Sequence, residues 1–268
     1  MKVLVTGAAG SIGTVLRKGL AGRYELLRLS DRAAPPQAGP GEEVAPAELS
    51  DMAAVEWAVA GMDAVVHLGA VAGEADWETL LASNIVGTRN VFEAARLAGA
   101  RRIVFASSNH VVGFHRRDRT LDHRAEHRPD TRYGLSKAFG EDMGRLYADK
   151  HAMEVFCMRI GSFQSEPRDA RQLGTWLSHG DMVRLVITGL ETTGLRFEVV
   201  YGVSRNTRSW WDNRRAYALG YEPQDDSEPW AERLIGATPA EPGGPLARRL
   251  QGGAYVEKEF DGDPSAFD

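Results

Sequence analysis

Tyr133 and Lys137 stand four residues apart in the string YGLSK, a spacing that raises both side chains from one face of a helix. A tyrosine with its ordinary pKa near 10 is a poor base at neutral pH, and a neighbouring ammonium favours its anion. The pair therefore has the chemistry of a proton acceptor whose basicity a lysine sets. On its own such a pair is more commonly a solvated helix face, because exposed pairs are frequent and weak. Support comes from FASSNHVVG, Phe105 to Gly113, which places Ser107 to His110 at the carboxyl end of an apolar strand. Ligand crevices of open α/β sheets form at such ends. A serine hydroxyl there can hydrogen-bond a reacting oxygen and orient it toward Tyr133.

A second feature supplies a redox partner. TGAAGSIG, Thr6 to Gly13, sets glycines at 7, 10 and 13 between an apolar run and a helical pattern. Gly7 allows a tight turn, Gly10 lets backbone N–H groups approach a pyrophosphate, and Gly13 lets the helix pack close to the strand. The helix N-terminus then faces the phosphates with its partial positive charge. Asp31 ends the second apolar run, where a carboxylate accepts hydrogen bonds from adenosine ribose hydroxyls and repels a 2′-phosphate. Arg32 beside it can pair with such a phosphate, but the aspartate makes NAD the expected cofactor ahead of NADP. An oxidised nicotinamide adds a second positive charge that favours the Tyr133 anion, and Lys137 can also hold the nicotinamide ribose.

The elements that must position these groups follow from periodicity. Residues 2–6 read as a buried strand, and Ile12, Val15, Leu16 and Leu20 recur at helical spacing. A second run spans 24–29, and the Pro/Gly-rich stretch 33–46 has the composition of a surface loop. Ser50 and Asp51 open a helix, 64–67 is a strand, 77–98 a helix and 102–106 a strand. Asp130 and Thr131 precede a helix running to about Lys150, and 155–159 returns as a strand ending at Gly161. Such alternation predicts an α/β fold: a doubly wound, Rossmann-type parallel sheet with helices on both faces. Beyond Gly161 a helix over 175–190, a strand over 197–201 and a helix near 213–219 point to a small substrate lobe, and the Gly/Pro-rich tail after Pro239 to a terminal arm. Residues 1–268 are thus expected to form a single domain.

Composition narrows the class without naming a function. The chain has 268 residues, 43% of them hydrophobic and 26% charged, as in ordinary globular proteins. A formal net charge of -5 repels a phosphate backbone despite the local cluster Arg116, Arg117 and Arg119, so no nucleic-acid partner is expected. The N-terminal apolar run is too short for a signal peptide, and no stretch approaches the roughly 18 apolar residues of a membrane span, so a cytoplasmic location and no membrane partner are expected. The single cysteine, Cys157, leaves no intrachain disulfide.

The order of glycine turn, acidic residue, Asn84 in SNIVGT, paired serines and YxxxK resembles the extended short-chain dehydrogenase/reductase family. Carried over by position, Ser108, Tyr133 and Lys137 are the catalytic set of a hydride-transfer enzyme, with Asn84 near the cofactor. VTGAAGSIG, RIVFASSNHVVG, YGLSKAFGEDM and RIGSFQSEPRDARQLGTWLSH, with WWDN and LGYEP beyond, resemble more narrowly the uronate dehydrogenases of the NAD-dependent epimerase/dehydratase-like families. This likeness covers nearly the whole chain. It implies NAD-dependent oxidation of a hexuronic acid, D-glucuronate or D-galacturonate, at C1 to the aldarolactone. It also implies cofactor contacts from Gly7, Gly10, Ser11, Ile12, Gly13, Asp31, Glu48, Leu49, Leu68, Gly69, Asn84, Tyr133, Lys137 and Phe163. Substrate contacts would come from Ala72, Ser108, Asn109, His110, Tyr133, Ser162 and Arg171, with Arg171 pairing with the uronate carboxylate. Without the resemblance Arg171 reads as a surface charge and Ser162 as a turn residue. Two departures stand out: Ala72 where the family often has serine, and Glu48 where it often has aspartate. A homo-oligomer is expected, through a helical face in the segment 130–150.

Other readings are weaker. The string HRAEH, His123 to His127, matches a zinc-binding pattern, but it lacks helical apolar periodicity, Pro129 closes it, and no third ligand follows, so no metal is expected. His67 reads as a core or sheet-edge residue, and Trp210 and Trp211 as packing. The rival functions are a nucleotide-sugar epimerase or dehydratase, which uses the same three residues, and a non-catalytic dinucleotide sensor.

Overall fold

KVLVT carries β-branched and aliphatic residues at consecutive positions, so it suits a strand covered on both faces. In the computed structural model, which describes residues 1–33, 37–237 and 240–267, it forms β1 (Lys2–Thr6), an inner strand of a seven-stranded sheet. The other strands, in chain order, are β2 (Leu26–Ser30), β3 (Glu42–Val44), β4 (Ala64–His67), β5 (Arg102–Ser108), β6 (Glu154–Ile160), the short β7 (Ser162–Phe163) and β8 (Trp176–Leu177), and β9 (Phe197–Gly202). The large sheet runs β3-β2-β1-β4-β5-β6-β9, and every pairing is parallel. The chain moves outward through β2 and β3, then returns to the far side of β1 with β4. That reversal opens a crevice beyond the carboxyl ends of β1 and β4, where an open α/β sheet binds its ligand.

Helices cover both faces. Val3 and Val5 of β1 point into one apolar layer with Leu16, Leu20, Met182 and Leu185, brought by α1 (Ser11–Gly19) with its C-cap Leu20 and by α6 (His179–Glu191). Leu4 points into the other, with Val55 of α2 (Met52–Val59), Phe92 of α4 (Gly87–Ala98) and Tyr147 of α5 (Arg132–His151). The side chain of Thr131 caps α5 by accepting from Gly134 N at 3.0 Å, which fixes where the YGLSK turn begins.

Four details differ from expectation. The helix expected over 175–190 begins only at His179, because Trp176 and Leu177 form β8. The stretch read as a loop over 33–46, of which 34–36 lie outside the described residues, contains β3. Its three residues join β2 through the backbone ladder, and ion pairs rather than an apolar pattern anchor them: Arg17 of α1 reaches Glu42 at 2.6 Å and Arg28 of β2 reaches Glu43 at 2.8 Å. The helix expected over 77–98 is divided into α3 (Trp77–Leu80), a π-helical turn (Leu81–Val86) and α4. The tail read as a terminal arm folds back, burying Leu246, Leu250 and Val256 with Phe114. No helix among the described residues is long and apolar enough to cross a membrane.

Candidate active site

The glycine turn lies in the crevice between β1 and β4. Gly7 has φ of +69°, and a Cβ there would sit 2.7 Å from Gly69 N, so the turn and the loop after β4 touch only because no side chain intervenes. Gly10 is the N-cap of α1 and offers no side chain to the first N–H groups of the helix, which leaves them for an anion. Asp31 accepts from Ala9 N at 3.0 Å, pinning the end of β2 against the turn. These residues, with Ser11, Ile12, Gly13, Arg32, Glu48, Leu49, Leu68, Gly69 and Ala72, line a groove of about 540 Å³. Its volume, its helix N-terminus without a side-chain cap and its acidic rim fit a dinucleotide.

Ser11, Ile12, Leu68 and Ala72 also border a second cavity of about 440 Å³, so the two spaces run together. This one holds Ser108, Asn109, His110, Tyr133, Lys137, Ser162, Phe163 and Arg171. Tyr133 and Lys137 come from the first two turns of α5 and Ser108 from the end of β5. Burial pushes the Tyr133 phenol up to about 12, against a hydrogen bond with Ser108 that pulls it down. Burial lowers Lys137 to about 8. Its Nζ lies 5.8 Å from the Tyr133 ring centre and 5.2 Å from that of Phe105. In the protein alone, therefore, desolvation of the phenol outweighs the help expected from the ammonium.

Arg171 follows β7 and projects into the same space. It donates through Nη2 to Gln251 O at 2.6 Å and through Nε at 3.2 Å. With Asn109 Nδ2 donating to Ile160 O, Asn109 Oδ1 accepts from Arg171 Nη2 at 3.0 Å. No carboxylate makes a salt bridge with Arg171 among the described residues, and burial and then Arg117 lower its pKa to about 10. Ser162 Oγ lies 2.9 Å from Thr175 Oγ1, and Phe163 stacks on His179 with ring centres 4.7 Å apart.

Of the sequence-designated residues, Asn84 alone borders neither space. Its Oδ1 accepts from Val71 N at 2.8 Å, and its Nδ2 donates to Val71 O at 3.1 Å and Ser136 Oγ at 2.9 Å. The π-helical turn aims it at the loop beside the groove, which it holds to α5. Sequence reasoning missed Tyr255 and Gln251. Tyr255 stacks on His110 with ring centres 4.3 Å apart, and Gln251, fully buried, donates to Arg116 O and Arg119 O. No local pattern in QGGAYVEKEF marks either one.

His67 is buried between Thr6 and Thr88, and burial, then the Lys137 charge, lowers its pKa to about 3, so it is a neutral core residue. His127 of HRAEH is engaged with Glu141 at 2.9 Å. A third cavity, of about 630 Å³, is bordered by charges already engaged with one another, Glu141 with Arg159 and Glu198 with Arg215, and by none of the cleft residues.

Comparison with known proteins agrees with the cleft. The NAD dependent epimerase/dehydratase family model matches residues 3–210. A uronate dehydrogenase of Pseudomonas putida is 47% identical over 256 residues, covering 95% of each chain. A glucuronic acid dehydrogenase structure from Chromohalobacter salexigens superposes with a TM-score of 0.91 at 43% identity, covering 98% of both chains. A variant of the uronate dehydrogenase from Agrobacterium tumefaciens, complexed with NAD, gives 0.89 at 43% identity, covering 96% of this chain and 97% of that one. The chain accordingly belongs to the NAD dependent epimerase/dehydratase family and, within it, to the uronate dehydrogenases.

Proposed function

We propose that this protein oxidises the ring form of a hexuronic acid, D-glucuronate or D-galacturonate, at C1 to the aldarolactone, with hydride passing to NAD. The observation that carries this reading is Arg171. A desolvated guanidinium that makes no salt bridge with a carboxylate among the described residues, with Asp169, Asp130 and Glu241 acting on it only through their field, at the cavity that holds Ser108 and Tyr133, calls for an anionic ligand. Its planar fork matches a carboxylate with two parallel hydrogen bonds. The relatives named as uronate dehydrogenases support the same substrate class.

NAD, when bound, supplies the hydride acceptor for the C1 hydrogen and its electron pair. Gly7, Gly10, Gly13 and the α1 N-terminus would hold its pyrophosphate and Asp31 its adenosine ribose. Tyr133 Oη takes the proton of the C1 hydroxyl, and Ser108 holds the C1 oxygen against it. Lys137 contributes positive charge below Tyr133 and a donor for the nicotinamide ribose. Arg171, with Asn109, His110 and Ser162, fixes the sugar. Ala72 removes one possible hydrogen bond to it, and Glu48 lengthens the acidic arm near the adenine, so both tune affinity or preference without touching the chemistry.

Mixing the protein with each uronate and NAD and following reduced-cofactor absorbance tests the proposal; no turnover with either sugar overturns it. Tight retention of NAD without net reduction would favour the epimerase reading instead. Self-association is proposed through the α5 face that exposes Leu135 by 48% and Leu146 by 50%. A monomeric mass in sedimentation would overturn that part.

A further inference from the structure

The geometry points to Asp130 as a positioning residue. It fixes the His110 ring so that Nε2 is a hydrogen-bond acceptor toward the substrate cavity, and the site thereby selects a sugar that presents a hydroxyl donor there. His110 Nδ1 lies 2.8 Å from Asp130 Oδ2 and 3.1 Å from Oδ1. A carboxylate only accepts, so the proton between them belongs to Nδ1, and an imidazole carrying that one proton keeps its lone pair on Nε2. Among the described residues Nε2 has no partner, and His110 borders the cavity shared by Ser108, Tyr133 and Arg171.

The surroundings are built to hold this arrangement. The Asp130 side chain is 0% exposed, and Thr131 Oγ1 donates to its Oδ1 at 3.0 Å. A Cβ at Gly113 would come within 1.9 Å of Asp130 Oδ2, and one at Gly252 within 1.8 Å. Two distant segments thus dispense with side chains where this carboxylate sits. The imidazole plane is fixed as well: Tyr255 stacks on it at 4.3 Å and 26°, and Tyr133 meets it edgewise at 6.0 Å and 67°. Thr131 alone would account for Asp130 as part of the helix cap, but that role requires neither the imidazole contact nor the stacked ring.

Which hydroxyl is selected rests on the uronate reading; the tautomer does not. The first measurement is therefore ¹⁵N NMR of the His110 ring in the free wild-type protein, with a proton on Nδ1 and none on Nε2 expected. Asp130→Asn keeps the volume and an acceptor for Thr131, but its amide can donate to Nδ1 and move the ring proton to Nε2. This variant should show the shifted tautomer and a KM for uronate raised by roughly tenfold, the scale of one hydrogen bond turned unfavourable, with a smaller change in kcat and an unchanged KM for NAD. A wild-type ring protonated on Nε2 overturns the inference, as does an Asp130→Asn protein with unchanged tautomer and KM. Absence of uronate turnover in the wild type would instead remove the substrate reading, and the ring spectrum would still decide the role of Asp130.

Discussion

Arg171 Nη2 donates to the backbone carbonyl of Gln251 at 2.6 Å, so the loop after β7 and a far later segment of the chain share one wall of the cleft. A carbonyl is a dipole and does not neutralise a guanidinium, which leaves the demand for an anion standing. Arg171→Ala is therefore expected to raise the KM for uronates by about 10²-fold, corresponding to roughly 3 kcal/mol for loss of a desolvated charge pair. Arg171→Lys should recover little of it, since a point charge lacks the fork. Steady-state kinetics with a uronate and its uncharged aldose decide: equal losses for both sugars would assign Arg171 a purely structural role.

Tyr133 and Lys137 carry opposite shifts, and the sign of each sets a pH profile. Tyr133, held up to about 12, gains anion throughout the neutral and alkaline range. Lys137, lowered to about 8, loses its ammonium as pH rises through that value. The expected log kcat/KM therefore climbs with pH and flattens near pH 8, where the gain in phenolate is offset by the loss of its supporting charge. Lys137→Met should lower the rate and abolish the break. Tyr133→Phe should cost about 10²- to 10⁴-fold in kcat, the range of general-base catalysis, with cofactor binding by fluorescence retained.

Asp31 guards the choice of cofactor. Its carboxylate accepts from Ala9 N at 3.0 Å at the rim of the groove, with Arg32 beside it. Asp31→Ala should weaken NAD by about tenfold, one charged hydrogen bond's worth, and let Arg32 admit a 2′-phosphate. The kcat/KM ratio of NAD to NADP measures this, and an unchanged ratio would show that selectivity lies elsewhere.

Glu141 ties the catalytic helix to the sheet. It accepts from Ser107 Oγ at 2.5 Å and from Arg159 Nη2 at 2.8 Å. Burial alone would raise its pKa; His127, Arg159 and Ser107 together bring it below the ordinary carboxylate value of 4.5 to about 2. A depressed carboxylate contributes stability that is present above its unfolded pKa and lost as pH falls through the folded one. Acid unfolding should thus remove this contribution between about 4.5 and 2. Glu141→Gln should flatten that dependence and cost about 3–5 kcal/mol at neutral pH by leaving Arg159 buried and unpaired. Denaturant titrations across the pH series check both.

The legible parts of the site are those whose reasons are local. The glycine turn, Asp31 and the Tyr133/Lys137 spacing each announce a backbone geometry or a shared helix face within a few residues. β3 was not legible, because Glu42 and Glu43 find Arg17 and Arg28 only after the sheet has formed. Asn84 was legible as a residue, but its hydrogen bonds to Val71 and Ser136 were not, because they depend on a π-helical turn that shifts its direction. Arg171 was reached through resemblance alone, and Gln251 and Tyr255 were invisible, since they meet Arg171 and His110 across long stretches of chain.

The guanidinium of Arg171, hydrogen-bonded but in salt-bridge contact with no carboxylate among the described residues, also sets a boundary on how this fold can be improved. A substitution that placed an aspartate or glutamate within its reach would satisfy the cation, raise the melting temperature and occupy the place of the substrate carboxylate in the same stroke. Selection for thermal endurance alone would favour such self-inhibited variants, and the cleft stays open to ligands only while turnover is selected alongside stability.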